Sequence, residues 1–270
     1  MGVFVRISRA TAFGALVSLA LSTAARADEN KFGYSITLTG VSDYLFRGIS
    51  LTDEKPAFQP YIEFTYGIGY LGIWGSNIGS RSLAAEGYQA TGPWEVDVYA
   101  GVRPVLGPVN FDLGVLWYTY GARTNPAGLT KGDLDYVELK ASASTSPIKN
   151  WTIGLTGYFT PDQDQAIPQT ATVEGNIAYE LPHYGAFAPS LSGQIGYTTS
   201  WTSKYFGAGS GPFVGDDAYA YWNAGLKVSV EKYFMDFRYW DTSVDAPAAL
   251  SQYERLAGSR FLFTAGVSLP

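Results

Sequence analysis

Tyr34-Ser35-Ile36-Thr37-Leu38-Thr39-Gly40-Val41-Ser42-Asp43-Tyr44-Leu45-Phe46-Arg47, followed by Gly48-Ile49-Ser50-Leu51-Thr52, governs how the rest of the chain is read. Tyr34, Ile36 and Leu38 alternate with Ser35, Thr37 and Thr39, the two-residue period of a strand with one apolar and one polar face. Beyond the small Gly40 the alternation sets Tyr44 and Phe46 against Asp43 and Arg47, which predicts one strand from Tyr34 to Arg47. A strand this long, apolar on one side and charged on the other, stands between two different solvents.

The same design recurs downstream. Ala57 to Tyr66 sets Phe58, Ile62 and Phe64 against Gln59, Tyr61, Glu63 and Thr65. Pro60 argues for a start nearer Tyr61, because proline gives up a ladder donor. Tyr70 to Ile78 is apolar on both faces, so its orientation stays open. Trp94 to Val102 opposes Val96, Val98 and Ala100 to Glu95, Asp97, Tyr99 and Arg103, and the next strand opposes Val109 to Trp117 to Asn110, Asp112 and Tyr118. Further strands are expected at Leu134 to Thr145, Trp151 to Phe159, Ala171 to Leu181, Ser190 to Ser200, Ala218 to Val230, Tyr233 to Trp240 and Arg260 to Leu269. Only Glu231-Lys232 joins the tenth to the eleventh, the clearest hairpin in the chain.

The connections alternate long and short: six polar loops, five tight turns, about twelve strands, and both ends on the short-turn side. This predicts an all-β fold, a transmembrane antiparallel up-and-down β-barrel of the outer-membrane kind. Closure is what lets a sheet cross lipid, since it leaves no unpaired backbone edge in the hydrocarbon. No stretch after the leader is apolar for the ~18 residues a membrane helix needs.

Residues 1–27 read as a cleaved signal peptide: Arg6 and Arg9, an apolar run from Thr11 to Ala25, and the small-x-small site Ala25-Arg26-Ala27. The barrel then occupies 28–270 as one domain. Without Arg6, Arg9 and Arg26, 15 basic residues face 24 acidic ones, a net −9 with no basic block, so nucleic acid is not an expected partner. There is no cysteine, so packing and the backbone ladder hold the fold. The 20 Tyr, 15 Phe and 7 Trp supply what the interfacial girdles of a barrel require.

Ser42-Asp43-Tyr44-Leu45-Phe46-Arg47-Gly48-Ile49-Ser50, with Pro56-Ala57-Phe58-Gln59 and Gly75-Ser76-Asn77, resembles the amino-terminal signature of the TorF family of outer-membrane porins. The resemblance covers roughly the first fifth of the chain after the leader; Leu51 and the terminal Leu269-Pro270, in place of a terminal aromatic, depart from the expected pattern. It implies a transmembrane barrel with a pore.

If the apolar faces meet lipid, the lumen receives Asp43, Arg47, Glu63, Glu95, Asp97, Arg103, Asp112, Glu138, Lys140, Glu174, Glu180, Lys227, Asp236 and Arg238, nine acids to five bases. Arg47 and Asp43 come first among them, with Glu63 beside them if the first two strands pair. The acidic balance predicts passive diffusion of small hydrophilic solutes or ions with a cation bias. The same charges could instead pair across strands and fill a narrow interior. That leaves a closed barrel acting in structure or adhesion through its external loops. Expected partners are outer-membrane lipid and lipopolysaccharide, the solutes, and the barrel-assembly machinery.

No catalytic, cofactor or metal site is expected. The single histidine, His183, falls in a connection on the short-turn side, away from the rim where a hydrolase would place its base. Asp162, Asp164, Asp216, Asp217, Asp241 and Asp245 lie in external loops with no calcium-loop spacing. Trp117-Tyr118-Tyr120, Trp201 and Tyr239-Trp240 at one end, and Phe32-Tyr34, Tyr66-Tyr70, Trp151 and Tyr233-Phe234 at the other, read as two aromatic girdles, with Tyr118 and Tyr158 pointing inward.

Overall fold

A computed structural model describes residues 31–79, 89–90, 94–120, 123–124, 135–163, 169–201, 218–245 and 251–270. The expected signal peptide and Asp164, Asp216 and Asp217 lie outside them. Twelve long strands form among the described residues: β1 Phe32–Val41, β2 Ala57–Tyr66, β3 Gly69–Asn77, β4 Trp94–Val102, β5 Val109–Thr119, β6 Tyr136–Thr145, β7 Trp151–Thr160, β8 Thr170–Glu180, β9 Phe187–Ser200, β10 Ala218–Val230, β11 Tyr233–Thr242 and β12 Arg260–Leu269. Each pairs antiparallel with its sequence neighbours, and β12 returns to β1 through Ile36↔Leu269 to Val41↔Thr264. The sheet is a closed up-and-down barrel.

The five short connections each contain a residue in the left-handed backbone region, namely Gly67, Gly107, Asn150, Gly185 and Glu231. Turning a right-twisted strand back on itself in few residues calls for such a residue. The six long connections share the other end, where Gln89–Ala90 and Arg123–Thr124 tie two of them together in a short ladder.

Burial is inverted relative to a water-soluble protein. Thr37, Ser76, Glu95, Glu138, Thr172 and Thr198 are fully buried, while Leu71, Ile73, Leu155, Ile195, Phe237 and Phe261 are largely exposed. The polar parity of each strand faces inward and the apolar parity faces out. A contiguous apolar exterior on this scale is foreign to a soluble monomer and matches a hydrocarbon surround.

Three sequence expectations change. Pro60 lies inside β2, opposite Leu38, and the strand begins at Ala57. The nitrogen of Pro60 points toward β3, but that ladder starts only at Tyr61↔Trp74. Two residues earlier, on the same side, Asn77 Oδ1 takes the Phe58 N–H at 2.7 Å, so no ladder bond is lost. β3 turns Leu71 and Ile73 outward and Tyr70, Trp74 and Ser76 inward. Tyr70 therefore leaves the girdle for the interior, as does Trp240 on β11; each is under a tenth exposed. The Tyr70 hydroxyl donates to Asp112 Oδ1 at 2.6 Å, a bond that lipid would not offer it.

The third change is the largest. The first strand does not run to Arg47 but ends at Val41, and the chain then folds into the barrel.

Candidate functional site: the lumen and its inward hairpin

Leu45–Phe46 pairs with Ile49–Ser50 around the two-residue turn Arg47-Gly48. Both turn residues have positive φ, 51° and 84°, the geometry of a primed hairpin turn. Glycine is required at the second position for space as well. A Cβ on Gly48 would lie 2.4 Å from Thr242 Cγ2 and 3.3 Å from Tyr221 Cβ, so the tip sits flush against β10 and β11.

Asp43 and Arg47 are thus hairpin residues, not wall residues. Asp43 knots the base: it accepts Ser50 Oγ, Thr52 Oγ1 and Arg260 Nη1, each at 2.7 Å. Tyr44 stands edge-on to Trp74, with ring centres 5.2 Å apart, and its hydroxyl donates to Glu95 Oε1 at 3.1 Å. Burial, and then the charges of Glu95 and Asp97, push the Tyr44 phenol well above its ordinary range, so it stays a donor. At the tip, Arg47 Nη2 donates to both Glu138 oxygens at 2.8 and 2.9 Å, across the lumen on β6. Burial alone would lower Arg47, but Glu138 together with Tyr221, Tyr118 and Tyr136 outweighs it and the guanidinium stays charged. Tyr118 and Thr160 also donate to Glu138, each at 3.0 Å.

A short helix in the last long loop, α1 Ser251–Ala257, braces the hairpin from outside. Arg255 pairs with Glu54, and Thr242 Oγ1 donates to the Ala257 carbonyl at 2.8 Å.

The remaining charges line the wall below the hairpin. Glu63 is not beside Asp43 and Arg47: β1 and β2 do pair, but its partner is Ser35, toward the short-turn end. There Arg103, just past β4, donates to both Glu63 oxygens at 2.7 Å and to Asp112 at 3.3 Å, with its guanidinium 3.8 Å over the Tyr70 ring. Lys140 on β6 completes the chain at 3.0 Å from Asp112. On the opposite wall Arg238 holds Asp236 at 3.1 and 2.9 Å, Asn223 at 2.6 Å and Ser192 at 2.8 Å. Lys227, on the inward parity of β10, lies 4.5 Å over the Phe234 ring. Glu180 ends β8 on the inward parity, half-buried. His183 is exposed in the β8–β9 connection, at the end away from the hairpin.

Sequence reasoning placed Tyr61 and Tyr99 with the polar faces but missed how aromatic the interior is. Tyr61 and Tyr99 stack at 5.9 Å, and Tyr118 and Tyr136 at 4.4 Å. Glycines opposite make the room. Gly72 faces Tyr99 across the ladder, and a Cβ there would lie 2.2 Å from the ring; Gly196 faces Tyr221 in the same way.

Between the hairpin and the wall lies a cavity of about 80 Å³, bordered by Phe46, Arg47, Asp97, Glu174 and Trp240 among others. Asp97 Oδ1 and Glu174 Oε2 are buried there with no hydrogen-bond partner among the described residues.

Residues 24–268 match Gcw_chp, a bacterial family of unknown function. The chain belongs to that family. No curated protein matches this Gcw_chp chain. Among solved structures it is similar to the NanC porin, at 9% identity over 88% of this chain and all of that one, with a TM-score of 0.52. It is also similar to the KdgM porin, at 10% identity over 87% and 98% with a TM-score of 0.49. LpxR from Salmonella typhimurium follows, at 8% identity over 87% and 99%, again with a TM-score of 0.49. At such identities the likeness of this Gcw_chp barrel speaks to the fold alone.

Proposed function

We propose that this barrel sits in the bacterial outer membrane, exported by its signal peptide, and works as a porin-like channel for passive diffusion of small hydrophilic solutes or ions, as the resemblance to TorF porins implies. The observation that carries the reading is the inverted burial: a charged, hydrogen-bonded interior inside a wall whose outer parity is Leu, Ile, Val and Phe. Such a wall has its lowest free energy in lipid, and a charged lumen has no purpose in a dry core. Outer-membrane lipid and lipopolysaccharide surround it, and the barrel-assembly machinery inserts it. Asp43, Arg47, Glu63, Glu95, Asp97, Arg103, Asp112, Glu138, Lys140, Glu174, Lys227, Asp236 and Arg238 form the lining, whose acidic excess gives a preference for cations.

Single-channel recording of the detergent-extracted protein in a planar bilayer, with reversal potential under a salt gradient, tests this. Steady, cation-preferring steps are expected. A barrel that inserts and shifts on heating in a gel, yet never conducts, overturns it. A specific observation favours that second reading, a closed barrel acting through its external loops: the Arg47–Glu138 pair spans the lumen.

A further inference from the structure

We infer that the cavity between hairpin and wall is a binding site for a small organic cation, an alkylammonium head of the choline or tetramethylammonium class. The inference rests on the channel reading only in that water must reach the lumen.

The first observation is uncompensated negative charge. Asp97 on β4 is 7% exposed and Glu174 on β8 is 3% exposed, both border the cavity, and each has a buried carboxylate oxygen without a hydrogen-bond partner. The charged groups facing Asp97 are Glu95 and Glu138, both acidic. Arg47 also borders the cavity, but its charge is committed to Glu138 at 2.8 Å. With every carboxyl ionised, Asp97, Glu95, Glu174 and Glu138 against Arg47 sum to −3. Tyr221 donates to Glu174 Oε1 at 2.5 Å, which leaves Glu174 Oε2 and Asp97 Oδ1 unsatisfied; a carboxylate oxygen held out of water in this way is costly, and among the described residues Arg47 is the one cation that borders the cavity. A cation from solution offsets that cost.

The second observation is what surrounds the acids. Trp74, Tyr99, Tyr118, Tyr158 and Trp240 border the same space. Ring faces attract cations through their quadrupole, most strongly where water is excluded, and they suit a methylated ammonium better than a bare metal ion, which would need more oxygen ligands. The Arg47 guanidinium already lies 5.0 Å over the Tyr158 ring, the same contact made with a cation of the chain's own.

The test uses the folded full-length barrel in detergent and follows tryptophan emission, since Trp74 and Trp240 border the site. Choline and tetramethylammonium are titrated against 3,3-dimethylbutanol, the uncharged isostere of choline, and bilayer conductance is recorded in parallel. Expected is a saturable change with both cations, at least tenfold weaker with the isostere. Asp97→Asn and Glu174→Gln should each weaken it tenfold or more while the heat-induced gel shift stays intact. Glu180→Gln, at the far end of β8, should leave it unchanged. An equal response to the isostere, or full retention in a folded Asp97→Asn barrel, overturns the site. No response from a barrel that conducts also overturns it and leaves the channel standing; saturable, charge-dependent binding by a barrel that never conducts supports the site and overturns the channel.

Discussion

Two kinds of ion pair hold the interior, and they do different things. Arg103–Glu63, Arg103–Asp112, Lys140–Asp112 and Arg238–Asp236 run along the wall, within one strand or between strands near in the ring. Arg47–Glu138 instead joins a segment that enters the lumen to a strand on its far side. Wall pairs stiffen the cylinder and leave its bore as it is. The crossing pair contributes nothing to the ladder and, with Asp43–Arg260 at the base, holds the segment that fills the bore. Stiffness of the cylinder and seating of the inward segment thus rest on different charges.

Replacing Asp43 to Glu54 by a short Gly-Ser link removes the crossing segment and leaves all twelve strands, so it should have the largest effect. Single-channel conductance should rise severalfold, with the heat-induced gel shift retained; an unchanged conductance would break the comparison. Arg47→Ala should come next. It leaves Glu138 buried without its charge partner, a loss of about 3–5 kcal/mol. That loss falls on hairpin docking, so recordings should flicker between two levels while the unfolding midpoint holds near wild type.

Arg103→Met tests the other side. Its side chain is about a third exposed, so solvent screening reduces the loss to about 1–2 kcal/mol. Urea unfolding should show that loss, without the two-level flicker expected of Arg47→Ala. The smallest effect is expected of Gly72→Ala, whose Cβ displaces the Tyr99 ring from 2.2 Å and costs about 1 kcal/mol by overpacking. It should appear in the same unfolding experiment with ion preference unchanged.

The cylinder was legible because its physics is local. Strand parity, tight turns and polar loops fall within a few residues of one another, and Glu95, Asp97 and Glu138 could be turned inward from alternation alone. The hairpin was not, because Asp43, Tyr44, Phe46 and Arg47 also fit a strand parity. What decides between the two is Glu138, Tyr219 and Arg260, each far along the chain. A local hint was present: Leu45 interrupts the polar parity, and Gly48 follows Arg47 between two short β-prone pairs. Tyr70 and Trp240 were misplaced for a related reason. An aromatic ring near a strand end suits an interface or a lumen equally until its neighbours across the ladder are known.

The bond from Arg260 to Asp43 has a consequence in time. Asp43 follows the first strand of the barrel and Arg260 opens the last, 217 residues later, and these two strands meet only when the seam joins. The hairpin is therefore synthesised first and seated last. Its base has no basic partner until the final strand arrives, so a barrel still open along that seam keeps an unlocked hairpin. The lock on the base of the Ser42 to Thr52 segment thus depends on the closed seam.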